Sequence, residues 1–343
     1  MKAFRRQASD ALGDKLNEQL KHDLDLQKRR AAMSEEELFS FAQFDAAQAE
    51  RTGAPDYSYW RSTLRAFFHN KAAVFFLCLM VLTLLFTFIQ PYLPDQKDPL
   101  LIHNNEYGIP LNNVPPGEEF WLGTNSIGQD LWARLWSGTR TSLFIGIAVT
   151  LVEAVVGIAV GVLWGYVRKL DFVLTELYNI LDNIPQTLLL ILLSLILKPG
   201  VNTIIFALSL TGWLGMARFI RNQIIIIRDR DYNLASRCLG SSTGRIITKN
   251  LLPYLVSVIT MRMALAIPGA IGSEVFVTYI GIGIPVDTPS LGNLINTGRQ
   301  VMTAAPLRYQ LIFPVAVLAV ITISFYIIGS AFADAADPKN HIN

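Results

Sequence analysis

"LASRCLGSSTGRIITKNLLP", Leu234–Pro253, decides how the chain is read: it is basic and rich in Gly and Ser, yet stands between two long apolar blocks. Local chemistry gives it a shape. Asp229 or Asp231 is expected to cap a short helix through Tyr232, Asn233, Leu234, Ala235, Ser236, Arg237 and Cys238. Gly240 can take the left-handed conformation that stops it. Ser241 or Ser242 caps a second helix bearing Arg245 and Lys249, and Pro253 fixes the entry into the next block. Ala235 and Ser236 are small enough for another backbone to approach, while Leu234 and Leu239 offer apolar anchors for a groove. A solvated turn or an anionic-lipid patch suits these residues equally well.

The blocks on either side set the class. The 343 residues are 52% hydrophobic and only 16% charged, with a mean hydropathy of +0.37; soluble domains carry nearer a quarter charged residues. Six apolar blocks near the ~20 residues that cross a bilayer fall at Ala72–Ile89, Ser142–Val167, Val173–Leu197, Val201–Ile220, Leu255–Ile280 and Leu311–Phe332. They lack the polar faces of a buried soluble core. The expected fold is all-α: a polytopic membrane protein with six transmembrane helices. Gly157, Gly161 and Gly165 recur every fourth residue in the second block, which lets another helix approach closely. Pro185 and Pro268 are expected to kink the third and fifth blocks.

Lys/Arg bias of the short flanks gives the orientation. Arg218–Lys249 holds seven basic residues against Asp229 and Asp231, whereas Asp95–Arg140 holds three basic and six acidic. Arg61, Arg65 and Lys71 precede the first block; Arg168 and Lys169 lie between the second and third. Both termini and the opening stretch are therefore expected in the cytoplasm of a bacterial cell, below its plasma membrane. Residues 1–70 read as a cytoplasmic extension, with "SEEELF" at Ser34–Phe39 resembling a helix start; a mostly disordered tail is the alternative. Residues 71–90 form the first span and 91–141 an extracytoplasmic segment. Residues 142–335 are a five-helix core carrying the 229–253 loop, and 336–343 a tail. Trp132 and Trp136 suit a helix lying at the membrane interface, and Gly281–Tyr309 reads as a surface or re-entrant loop with a short helix.

Catalytic chemistry finds no footing. There is no G-x-x-x-x-G-K-[ST] phosphate loop, no H-E-x-x-H and no nucleophile elbow. The four histidines are scattered, and Cys78 and Cys238 have neither disulfide nor metal spacing. Transport is the expected role, with no catalytic residue, no metal and no cofactor on this chain. Glu153, Glu176, Asp182, Arg262 and Glu274 fall in or near the spans, where an ionisable group is costly unless paired or watered. Asp182, Pro185, Arg262 and Glu274 are the candidates for pathway or gate, Glu274 foremost. A structural role is the competing reading: Glu176 and Asp182 near the cytoplasmic end, Arg262 paired with a carboxylate inside the bundle.

Three motifs carry a resemblance. Ala235, Gly240 and Pro253, with Leu252 before the proline, have the spacing of the cytoplasmic E-A-A loop of ABC-importer permeases, Leu234 and Ser236 replacing the Glu and second Ala. "FWLGTNSIGQDLWARLWSGTRTSLFIG", Phe120–Gly146, resembles the segment preceding the second span of C-type oligopeptide/dipeptide permeases: Gly123, Thr124, Gly128, Asp130, Arg134, Gly138, Arg140, Ser142 and Gly146 are in register, with Asn125 and Gln129 in place of Asp and Arg. "SEVFVTYIGIGIPVDTPSLGNLI" matches through Glu274, Gly281, Gly283, Pro289 and Gly292, with Leu291 where Trp is common. Asp182 and Pro185 echo the family's D-x-x-P.

The resemblance implies a type I ABC-importer permease fold and a peptide substrate. The implied partners are a homologous second permease, two cytoplasmic ABC ATPases carrying ATP and Mg, an extracytoplasmic peptide-binding protein and membrane lipid, with no nucleic acid. It implies that Tyr232, Leu234, Ala235, Ser236, Arg237, Leu239, Gly240, Arg245 and Pro253 form the ATPase-coupling surface. A permease for nickel or another small solute shares this architecture, and a proton-coupled carrier working through Glu274 or Asp182 is the remaining rival.

Overall fold

A computed structural model describes residues 59–336. The helix expected at Ser34–Phe39, the rest of the N-terminal extension and residues 337–343 lie outside them. Among the described residues there is no strand, only three isolated bridges in the segment between the first two spans. Among these residues five helices are long and apolar enough to cross a membrane, and a bent pair taken as one span makes a sixth.

α1 (Tyr59–His69) leads into the first span, α2 (Lys71–Ile89). Asn70 separates them because its carboxamide oxygen accepts from the Ala72 and Ala73 amides at 3.1 and 3.2 Å, satisfying two of the donors a helix start leaves free. α2 stops at Gln90–Tyr92, where Pro91 brings a 3-10 turn. The extended segment that follows is closed by its own turns: Gly123 and Gly128 take φ of +79° and +80°, and the Thr124 hydroxyl donates to the Leu111 carbonyl at 2.6 Å.

The second span, α3 (Leu131–Tyr166), starts eleven residues before the expected Ser142. The Asp130 carboxylate caps it by accepting from the Ala133 amide at 2.8 Å. Trp132 and Trp136 are thus not on a separate interfacial helix. They are in the first turns of the span and pack edge-to-face on each other and on Phe86 of α2. The helix tolerates Arg134 so early because the guanidinium, buried to 1% exposure, donates to Gln129 Oε1 at 2.6 Å and to the Val286 carbonyl at 2.8 Å.

The third span is broken. α4 (Arg168–Asp182) and α5 (Gln186–Ile196) meet at 73° across Asn183–Pro185, as expected of Pro185. α6 (Val201–Arg228) outlasts its apolar block by two turns. After α7 (Asp231–Cys238) and the single turn α8 (Thr243–Ile246), a wide π turn at Ile247–Leu251 runs directly into α9 (Leu252–Tyr279). The expected second short helix is therefore the leading end of the fifth span. Pro268 does not interrupt α9. α10 (Leu291–Val301) is the helix expected in the loop after α9, and α11 (Tyr309–Ala336) completes the bundle.

The core sits where α3 meets α6. Cβ atoms added at Gly157, Gly161 and Gly165 would lie 2.5 to 2.8 Å from Met216, Ala217 and Ile224, so the glycine stripe is what lets these helices touch. At the opposite end Glu274 is fully buried. Its carboxylate accepts from Ser142 on α3 at 2.8 Å and from Thr278 at 3.2 Å, while Ser142 also receives the Leu291 amide of α10.

Candidate functional site: a basic hairpin and an intramembrane cavity

α7 is held by polar ties that leave its apolar side chains outside. Its cap residue is Arg230, with no side-chain cap bond, so neither Asp229 nor Asp231 caps it as expected. Asp231 lies in the first turn, favourable to the helix dipole. The Asp229 carboxylate is occupied elsewhere: Arg228 Nε donates to it at 3.0 Å, with Arg168 at 3.5 Å and Arg237 at 3.7 Å. The hydrogen bond from Arg228, reinforced by all three guanidiniums, holds this carboxyl below the usual carboxylate range.

Asn233 is the central tie. It is fully buried; its amide donates to the Ile227 carbonyl at 2.8 Å and its oxygen accepts from Asn250 at 3.0 Å. The hairpin is thereby joined both to the end of α6 and to the wide turn ahead of α9. Arg237 adds a bond of 2.8 Å to the Arg228 carbonyl. α7 ends as expected at Gly240, whose φ is +79°. The Gly240 amide donates to Arg237 O at 2.9 Å and the Ser241 amide to Ser236 O at 3.0 Å, the double closure of a Schellman end. Ser242 then caps α8 through the Arg245 amide. Tyr232, Leu234 and Leu239 are left 49%, 42% and 86% exposed. Ala235, Gly240, Arg245 and Pro253 are exposed as well, and Ser236 and Arg237 half-buried.

A cavity of about 480 Å³ lies between α3, the break in the third span, α6 and α9. Three of the four pathway candidates line it: Asp182, Pro185 and Arg262, together with Glu153, Gly212 and Gly215. Arg218 stands 4.0 Å from Asp182, both more than half exposed. Glu274 is not on this wall. It is the buried tie between α3, α9 and α10, and Gly292 is kept free of a side chain because a Cβ there would come within 2.9 Å of its carboxylate. Glu176 is exposed on α4. Arg262 forms no ion pair of 4.0 Å or less with a described carboxylate, contrary to the structural alternative.

The sequence reading missed Asn233 and Asn250 as a pair, and it did not connect Glu153 to Arg262. A signal for the latter exists in Gly212-x-x-Gly215, a gap on one face of α6.

Residues 157–342 match the binding-protein-dependent transport system inner membrane component family, and residues 58–116 match the N-terminal transmembrane domain of oligopeptide transport permease C. The chain is 37% identical over 307 residues to the oligopeptide transport system permease protein AmiD of Streptococcus pneumoniae, covering 90% of this chain and 98% of that protein. The chain belongs to this permease family. A second permease of the family, the oligopeptide transport system protein OppC of Bacillus subtilis, is 32% identical over 309 residues, 88% of this chain and 97% of its own. Among solved structures, an inward-facing MetNI methionine ABC transporter aligns with a TM-score of 0.47 at 20% identity, over 60% of this chain and 95% of that one. This binding-protein-dependent permease is accordingly a multi-pass membrane component of an ABC importer, and its three sequence motifs fall at the Asp130 cap, the α7–α8 hairpin and the Glu274 tie.

Proposed function

We propose that this permease is one of two homologous membrane subunits of an ATP-driven peptide importer. It forms half of the pathway and couples to a cytoplasmic ATPase through residues 231–253. The observation that carries the coupling assignment is the α7 hairpin: a rigidly tied helix that turns Tyr232, Leu234 and Leu239 outward. An apolar helix face kept in water is characteristic of a surface that a partner covers. The relatives' names support peptides as the cargo. ATP and Mg belong to the partner ATPases in this reading, and a peptide-binding protein delivers cargo from outside. The seven basic residues of Arg218–Lys249 support a cytoplasmic hairpin and cytoplasmic termini.

Closure of the ATPases would swing the hairpin, and the Asn233–Asn250 tie would pass that motion to α6 and α9 together, a rigid-body route to alternating access. Arg245 and Lys249 would meet an acidic rim at only ~0.2–1 kcal/mol per exposed pair, so seating depends mainly on the apolar side chains. Gly240 provides the test. Among the described residues, nothing beyond its two chain neighbours lies within 4 Å of a Cβ placed there, so Gly240→Ala meets the left-handed backbone cost of about 1–2 kcal/mol. Gly240→Trp also obstructs the groove. Peptide uptake by cells should be reduced in the first and abolished in the second, with both proteins present in the membrane at wild-type amounts. Normal uptake by Gly240→Trp would remove the coupling assignment.

A further inference from the structure

Glu153, an acid, and Arg262, a base, lie in the middle of two spans. Glu153 stands thirteen residues before the end of α3 at Tyr166, about 20 Å along the helix; Arg262 is ten residues into α9. Ionisable groups at such depth persist only where something satisfies them. Among the described residues, the Glu153 carboxylate accepts no hydrogen bond, the Arg262 guanidinium donates none, and no ion pair of 4.0 Å or less joins them. The Arg262 guanidinium faces the Phe219 ring, 5.9 Å away, and acts on Glu153 through its charge alone, across a gap too wide for an ion pair.

The room they occupy is cut into α6. A Cβ on Gly212 would fall on the Glu153 carboxylate, and a Cβ on Gly215 would lie 3.7 Å from Arg262 Nη2. Positions three apart on a helix place their Cβ atoms about 5–6 Å apart. The two charges therefore flank one turn of α6, separately, inside the same cavity.

We propose that Glu153 and Arg262 form a subsite of two signs that receives the charged ends of the peptide main chain, ammonium on Glu153 and carboxylate on Arg262. The inference rests on the peptide-import reading above. Free ends are common to peptides whatever their side chains, and bringing them to this depth strips their water. A guanidinium fork matches a carboxylate through two parallel N–H···O bonds, and Glu153 supplies the acceptor an ammonium needs. Two groups bonded to each other would have no such capacity; with no direct bond between them, the carboxylate keeps its acceptors and the guanidinium its donors for a visitor.

The test uses the complete transporter in permeabilised membrane vesicles, with Cys78 and Cys238 changed to Ser and Gly215→Cys as a reporter inside the cavity. Trialanine with free ends should slow labelling of that thiol by a small maleimide at least threefold. N-acetyl-trialaninamide should not, and protection by trialanine should vanish in both Glu153→Gln and Arg262→Gln. Equal protection by the blocked peptide, no protection by either, or protection surviving both changes would overturn the proposal. So would recovery of uptake in the Glu153→Gln/Arg262→Gln double variant relative to the single ones, the mark of a purely mutual pair. Failure of the peptide-import reading looks different: cells relying on the unaltered transporter would accumulate no labelled peptide at all.

Discussion

At the scale of single residues, the hairpin is governed by groups that differ in how far apart in sequence their partners lie. Gly240 was legible because a left-handed end needs only local chemistry. Asn233 was not: its partners, Ile227 and Asn250, stand six and seventeen residues away and meet only once α6 has ended and the wide turn has formed. Asn233→Leu would leave the Asn250 amide and the Ile227 carbonyl without their partner, a loss of about 1–3 kcal/mol. It should lower the thermal midpoint of the purified protein and uncouple uptake from ATP hydrolysis. Asp229 answers to pH in a defined direction. Its carboxyl is depressed below the ordinary 3.8, so its contribution is complete above that value and lost as pH falls below it, through the depressed value. With Cys78→Ser, a fluorophore on the exposed Cys238 should keep constant anisotropy from pH 8 to 5 and become mobile only in stronger acid. In Asp229→Asn the mobile signal should be present at every pH.

Whole elements followed the sequence where their contacts are apolar and departed where buried polar groups intervene. The glycine stripe announced a close helix pair, and α6 is the partner. Gly161→Leu would drive a side chain against the Ala217 carbonyl, 2.5 Å from the Cβ position, and Ile220 at 2.7 Å. Overpacking of this kind typically costs 1–3 kcal/mol or more, and membrane abundance on immunoblots should fall accordingly. The first turns of α3 were misread as a separate helix because Arg134 and Thr139 interrupt its hydropathy. Both are buried and bonded, so their polarity is spent inside the protein and does not mark a membrane boundary. For Glu274 a carboxylate in a span suggested a pathway; in the structure it is fully buried, hydrogen-bonded to Ser142 of α3 and Thr278 of α9, and lies off the cavity wall. Glu274→Leu should therefore reduce folded protein, seen as a lower thermal midpoint, with no selective change in which peptides are taken up.

For the whole molecule, the number of spans was readable from hydropathy, but the cavity was not, since it exists only where α3, α6, α9 and the broken span converge. The expected orientation places Tyr107 and Leu239, 86% exposed in each case, on opposite sides of the membrane. In a cysteine-free background, Tyr107→Cys should react with an impermeant thiol reagent in intact spheroplasts, and Leu239→Cys only after the membrane is opened. Labelling of both from outside would reverse the topology. The wide turn at Ile247–Leu251 bears on where that distal surface points. Ile246 and Leu251 are both buried, at 1% and 0% exposure, although five residues of an ordinary helix would set them about 140° apart. The one-residue surplus brings them back to the same side, working as a phase correction between the hairpin and the span above it. Deleting Thr248 would let the ladder revert to ordinary pitch and rotate everything before it by about 100°, turning the outward leucines to another side while leaving each helix intact.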